Sequence, residues 1–284
     1  MNPDISILIV GGNDIASAIA HRLFYSGFRP IILASPQENY LRTHLCYGMA
    51  LFLGKKTING VVAETPPEDF LKNESPDRES PIVKGVRYLL KDRKIPVIGN
   101  EYSPLLRETF APQIIIHTVF PETIFDNFST APLVLGLAGL RQTNTKYHFW
   151  IEDRPVGRLG EIYPSAAEIP PAPAENILHP SLQFQQAHAP ESGVWVSLKS
   201  IGDEIFPGET LGKIHDRDVP SPVSGQLWGQ LSSGRIVEKE TPVSFIYPGA
   251  KNDDYQYFDY RHNAISGAVL AVVLRFLSLT REDS

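Results

Sequence analysis

The segment Gly11-Gly12-Asn13-Asp14-Ile15-Ala16 has the residue types and spacing that point most directly to chemistry. It follows the apolar run Ile5 to Val10 and opens an amphipathic pattern over 14–27. A Gly-x-Gly-x-x-Gly/Ala turn in that setting holds the pyrophosphate of a dinucleotide. The unpaired amides of a helix start and their partial positive charge attract an anion. On this reading Gly11 makes the tight turn, Gly12 and the helix start face the phosphate, and Ala16 lets the helix pack close. Asn13 stands where the second glycine would let phosphate reach bare backbone, and its side chain crowds that approach. Asp14 brings a carboxylate near the same place, as a repulsive charge or as a helix cap. After the second apolar run, Leu33-Ala34-Ser35 offers no acid for an adenosine ribose, and Glu38 comes late. The competing reading is a tight strand-to-helix turn with no ligand.

Five more residues join this candidate set. His117 ends an apolar run, on the side where open α/β sheets hold ligands, and is read either as an acid or base or as a strand-end histidine. Glu152, Arg154 and Arg158 combine a carboxylate with fork-shaped donors suited to phosphate, or form a solvated hairpin. Arg42 is placed near the first crevice, on a phosphate or in a surface ion pair. His215, Asp216 and Asp218 crowd one turn too tightly to converge on an ion, so no metal is expected. Cys46, with Leu45 and Met49, reads as inert packing.

The elements that must position these residues alternate. Ile5–Val10, Pro30–Ala34, Ile95–Gly99, Gln113–His117 and Ala131–Gly136 read as strands buried on both faces. Helical patterns lie at 14–27, 40–53, 81–93 and 103–109. That alternation predicts an α/β fold with a Rossmann-like parallel sheet over 1–140. Prolines cluster over 163–180, and 64–80 is proline-rich and charged, so both read as connections. A connecting segment over 141–190 leads to a β-rich domain over 191–248, and 249–284 ends in a helix that packs back on the core.

The β-rich part repeats itself at an offset of 32 residues. Ser192-Gly193 returns as Ser224-Gly225, Gly202 as Gly234, Ile205 as Val237, Leu211 as Val243 and Ile214 as Ile246. One such unit cannot close a core; two related units can. The run Gly202 to Leu211, with Ser221-Pro222-Val223-Ser224-Gly225, resembles biotinyl and lipoyl carrier domains, which implies a barrel-sandwich hybrid. The hairpin where a carrier lysine would sit reads His215-Asp216-Arg217-Asp218, and Lys213 lies in the strand pattern, so covalent biotin or lipoate is not expected.

Composition narrows the functions. With 42% hydrophobic and 20% charged residues the 284-residue chain can build one large core or two ordinary ones. A net charge of −6 without a long basic run argues against nucleic acid. One cysteine, Cys46, excludes an internal disulfide framework. The first apolar run follows Asp4 rather than a basic region, and the apolar stretch Ala264 to Leu274 reads as too short for a bilayer. A cytosolic protein, without membrane contact, is therefore expected.

The order Gly-Gly-x-Asp-Ile-Ala, Arg42-Thr43, Ile95-Pro96-Val97, Ala131 to Leu137, the Gly202 repeat and Ile265-Ser266-Gly267-Ala268-Val269-Leu270 resembles the YqeB-type accessory proteins of selenium-dependent molybdenum hydroxylases. These are distantly similar to xanthine dehydrogenase accessory factors. The resemblance covers roughly residues 5–277. It implies a maturation role, with a nucleotide or the molybdenum cofactor as small-molecule phosphate ligand and a molybdenum hydroxylase as client. The family's loop carries Gly-Ala-Gly-Asp where this chain has Asn13, and Arg154-Pro155-Val156-Gly157 stands where the family has Asn-Arg-Gly-His. Two other readings stay open: an NAD(P)-dependent oxidoreductase, and a scaffold that has lost its ligand. Whether any reaction is catalysed, and whether the chain self-associates, stay open as well.

Overall fold

The computed structural model describes residues 5–67, 80–120, 131–141, 146–154, 157–171 and 184–282. The chain divides into two compact units. The first takes 1–38, 46–172 and 260–284; the second takes 39–45 and 173–259.

The first unit is a mixed α/β structure. Its sheet contains β1 (Ser6–Val10), β2 (Arg29–Ala34), β3 (Lys55–Ile58), β4 (Val61–Glu64), β5 (Ile95–Gly99), β6 (Ile114–His117), β7 (Leu133–Leu137), β8 (Phe149–Ile151) and β9 (Ile162–Tyr163). The order is β3-β4-β5-β2-β1-β6-β7-β8-β9. All neighbours from β4 to β8 are parallel, and β3 and β9 add antiparallel edges. The chain reverses its direction of travel between β1 and β6, the place where such sheets open a crevice. Strand β1 buries both faces, so its run of apolar residues needs no alternation.

Among the described residues the unit's helices are α1 (Asp14–Tyr25), α2 (Ala50–Leu53), α3 (Pro81–Lys91), α4 (Ser103–Phe110) and α5 (Tyr260–Glu282). Leu8, Val10, Ile31, Leu33, Ile115 and Val134 form one core with Ile82, Val83 and Val86 of α3 and Leu106 of α4. Ile7, Ile9 and Ile32 alternate to the other face, where α1 packs on β1, β2 and α5. Pro81 begins α3, where a missing N–H costs nothing.

Three expectations change here. The sheet does not stop at 140: β8 and β9 carry it to Tyr163. The helix pattern over 40–53 breaks into two 3-10 turns, Thr43–Leu45 and Tyr47–Met49, before the single turn α2. Long-range bonds take the amides there, Tyr47 N to Ser17 Oγ at 2.7 Å and Gly48 N to Gly12 O at 2.9 Å. The helical run Asp254–Thr280 is long and apolar enough to cross a membrane by length and composition. Its buried stripe is Ile265, Ala268, Val269, Val272 and Val273, and the last helix packs on α1. Most of the connection at 64–80 and half of the proline cluster at 163–180 lie outside the described residues.

The second unit is two antiparallel four-stranded sheets. One is β10-β17-β15-β12, made from Gln185–His188, Pro242–Tyr247, Gly225–Gln230 and Glu204–Ile205. The other is β14-β13-β11-β16, from Arg217–Pro220, Thr210–Ile214, Gly193–Ser197 and Ile236–Val237. They share a core of Trp195, Ile205, Leu211, Ile214, Val219, Leu227, Val237, Val243 and Ile246. The sequence repeat is a structural repeat. Trp195 pairs with Ile214 as Leu227 pairs with Ile246, and Gly193 with Val237 as Gly225 with Ile205. The bonds are reciprocal as well: Gly202 N donates to Leu227 O and Gly234 N to Trp195 O, both at 2.7 Å. Each half thus satisfies the other's backbone, a quasi-two-fold exchange. Gly202 and Gly234 hold φ of 99° and 91°, where a side chain would be strained.

Candidate functional site

A crevice opens past the ends of β1, β2 and β6. Val10, Gly11, Leu33, Ser35, Glu38 and Val119 are among the residues enclosing a cavity of about 130 Å³. Gly11 has φ 113°, and a Cβ there would collide with Thr118 Oγ1. The glycine is required, but by the protein's own neighbouring strand end. Thr118 in turn donates from N and Oγ1 to Val10 O.

The amides expected to meet an anion have partners inside the protein. Gly12 N donates to Glu38 Oε2 at 2.9 Å. Ala16 N donates to Asn13 Oδ1 at 2.9 Å, and Ile15 N to Asp14 Oδ1 at 3.1 Å. Asn13 is therefore the N-cap of α1, with extended backbone, and not a phosphate-facing turn residue. This corrects the expected role of Gly12, Asn13, Asp14 and Ala16: two carboxylates and an amide oxygen sit where phosphate oxygens would. Replacing Asn13 with Ala removes the cap and is expected to cost about 1 kcal/mol, read from urea unfolding, whereas Gly costs only a few tenths. An Ala variant as stable as the parent would contradict the capping role.

The remaining sequence candidates scatter. His117 is fully buried at the end of β6, and neither ring nitrogen has a hydrogen-bond partner. Burial pushes its imidazole down to about 4, so it is neutral at pH 7. It packs edge-on to Tyr147 with centroids 5.4 Å apart. Glu152 is fully buried and held by Arg154 through Nε at 2.7 Å and Nη2 at 2.6 Å. Burial alone would raise the Glu152 carboxyl; the Arg154 bonds and the Tyr163 hydroxyl outweigh it and hold it below the ordinary range. Arg154 thus grips a protein carboxylate instead of a phosphate, and its second contact is Pro170 O. Arg158 is half exposed, 3.9 Å from Glu161. Arg42 belongs to the second unit, which corrects its expected place. Its guanidinium bonds Asp259 at 2.7 Å and lies 5.7 Å from the Trp228 ring centroid.

No family model matches the chain. Among curated proteins it is similar to the uncharacterized protein YqeB of Escherichia coli (strain K12), with 24% identity over 272 residues. The resemblance to YqeB holds. The match covers 95% of this chain and 48% of that relative, so the chain spans about half its length. Solved structures offer less. An aspartoacylase family protein from Mesorhizobium loti is 12% identical, with 87% of this chain and 86% of that one covered and a TM-score of 0.24. A succinylglutamate desuccinylase/aspartoacylase from Rhodobacter sphaeroides is 10% identical, with 86% of each covered and a TM-score of 0.23. At those scores neither bears on the fold or chemistry of this chain.

Two residues partner the first turn in roles that the sequence does not show: Glu38, which reads there as a late-coming ribose acid, and His262. Glu38 reaches Gly12 because residues 35–38 turn back after β2, with Glu38 N donating to Ser35 O at 3.1 Å. His262 of α5 is buried and bonds Asp14 Oδ2 through Nε2 at 3.0 Å, tying the last helix to the first turn. Asp14 at a helix start signals a cap, but nothing local to it signals a partner 248 residues away.

Proposed function

We propose that the chain is an accessory protein of the molybdenum-hydroxylase type that acts by holding a client enzyme, not by turning over a dinucleotide. The observation that carries this is the Glu38 carboxylate on the Gly12 amide. An NAD(P) pyrophosphate would have to displace that carboxylate and then sit beside Asp14, at a Coulomb cost. A cavity of about 130 Å³ is also well below the several hundred Å³ that a cofactor site needs. The parallel strand order β5-β2-β1-β6-β7-β8 still reads as Rossmann-like, so the front unit is a nucleotide fold whose phosphate seat is internally filled. The second unit reads as a barrel-sandwich hybrid. Reciprocal bonding between its halves supports that, and the two-residue turn His215-Asp216 carries no lysine for biotin or lipoate. Its role is then docking. The molybdenum client comes from the likeness to YqeB-type proteins, and the cytosolic place from the character of the first apolar run. The same carboxylate favours a second reading, a scaffold with no small ligand at all.

Calorimetric titration tests the reading. The wild-type protein is expected to give no saturable heat with NADH or ADP at millimolar concentration. Glu38→Ala frees the Gly12 amide and removes a charge, and should raise ADP affinity at least about tenfold, or 1.4 kcal/mol. A purified molybdenum hydroxylase should co-elute with the wild-type chain. Micromolar NADH binding with hydride transfer would restore the oxidoreductase. Neither ligand nor client binding would leave only the scaffold.

A further inference from the structure

The other end of the same sheet holds a second cavity, of about 180 Å³. Phe24 and Phe28 come from the close of α1, Leu90 and Arg93 from the close of α3, Arg29 starts β2 and Lys94 precedes β5. We propose that this cavity binds a phosphate monoester carried on a small apolar or aromatic body.

Unfilled donors are the first reason. Lys94 is matched by two carboxylates, Glu64 at 3.0 Å and Asp92 at 2.9 Å. The Arg29 and Arg93 side chains have no hydrogen-bond or ion-pair partner among the described residues. Two guanidinium groups on one cavity carry the charge of one phosphate dianion, and each has the fork of donors that phosphate oxygens accept. This happens in a chain whose net charge is −6. The bland alternative is that these cations only offset the helix C-terminal dipoles of α1 and α3. Those carry about half a charge each and, with the second carboxylate on Lys94, offset the guanidinium charges, but they leave the N–H donors of both forks unfilled.

Backbone conformation is the second reason. Arg93 holds φ 53°, where Gly or Asn would be unstrained. The left-handed turn closes α3, with Arg93 N donating to Leu90 O at 3.4 Å and Lys94 N to Leu89 O at 3.0 Å, and the exposed arginine at that turn is not held there by packing. The third reason is the floor. Phe28 is 4% exposed and Leu90 and Phe24 are partly buried, so the wall beneath the charges is apolar. Inorganic phosphate would leave that wall wet; an ester with an aryl or alkyl group would cover it.

Phenyl phosphate is the probe, followed by amide chemical shifts in the full chain. Saturable binding near or below about 1 mM is expected. Inorganic phosphate should bind at least about threefold more weakly, and affinity should fall with salt. The amides of Gly27, Arg29 and Lys94 should shift while that of Gly12 stays, which separates this cavity from the crevice. Arg29→Gln with Arg93→Asn should lose at least about tenfold; both sites are exposed, and the unchanged remainder of the spectrum reports an intact fold. Equal binding by that double variant, or no saturation of the wild-type protein by 10 mM (about −2.7 kcal/mol), overturns the site. Inorganic phosphate binding as tightly as the ester overturns the apolar-body assignment.

Discussion

Arg154→Ala is expected to lower stability by about 3–5 kcal/mol, because it leaves the fully buried Glu152 carboxylate without its partner. The substitution removes the bidentate clasp at 2.7 and 2.6 Å and keeps the backbone N of residue 154 on Oε1 at 3.1 Å. The Tyr163 hydroxyl at 3.3 Å remains. Replacing both partners with neutral groups, Glu152→Gln with Arg154→Met, should cost less than Arg154→Ala, since no charge is then stranded. The pH dependence has a definite sign. The carboxyl of Glu152 is depressed in the folded protein, so its stabilisation is present above the unfolded value near pH 4 and is lost as pH falls through the folded value. In urea, the gap between wild type and Arg154→Ala should be wide at pH 7 and narrow in acid. A gap under about 1 kcal/mol at pH 7 would place this pair among exposed ion pairs, which stabilise little. The same experiment bears on function. Arg154 read as a phosphate ligand would change anion affinity at constant stability, and the geometry requires the reverse.

The sequence was legible where burial alone dictates structure. The runs at Ile5, Pro30, Ile95, Gln113 and Ala131 become β1, β2, β5, β6 and β7 because strands covered on both faces have to be apolar throughout. The 32-residue repeat was legible for a related reason: glycines at positive φ and aliphatics facing one core recur when a unit is used twice. Some of what was missed had a local signal. Asn59-Gly60, with φ of 46° and 81°, is the turn of a two-residue hairpin between β3 and β4, and that dipeptide marks such hairpins in sequence. Other features had none. Residues 39–45 belong to the second unit and their neighbours to the first, so an apolar pattern that serves two cores looks like one helix. Glu38 and His262 take up Gly12 and Asp14 through folding that no spacing encodes. The turn after β1 was therefore legible along the chain, while the partners that fill it were not.

Trp195→Ala is the second large effect, at about 3–5 kcal/mol. The side chain is fully buried at the centre of the second unit's core, and its Nε1 donates to Leu231 O at 3.1 Å. Truncation opens a large cavity and leaves a buried carbonyl unpaired, two penalties that add. The quasi-two-fold exchange makes the loss spread. Trp195 O accepts Gly234 N, and Trp195 N donates to Arg235 O at 2.8 Å, so loosening β11 also loosens the hairpin of the other half. Leu227, at the equivalent place in the second half, packs in the same core, and Leu227→Ala should cost about 2–5 kcal/mol with the mirror-image pattern. Hydrogen exchange resolves the two. Trp195→Ala should expose the amides of Gly234 and Leu198 first, and Leu227→Ala those of Gly202 and Leu231. If either substitution loosened only its own strand, the two halves would be stable independently. The docking surface proposed for the second unit would then have to be sought on one half alone.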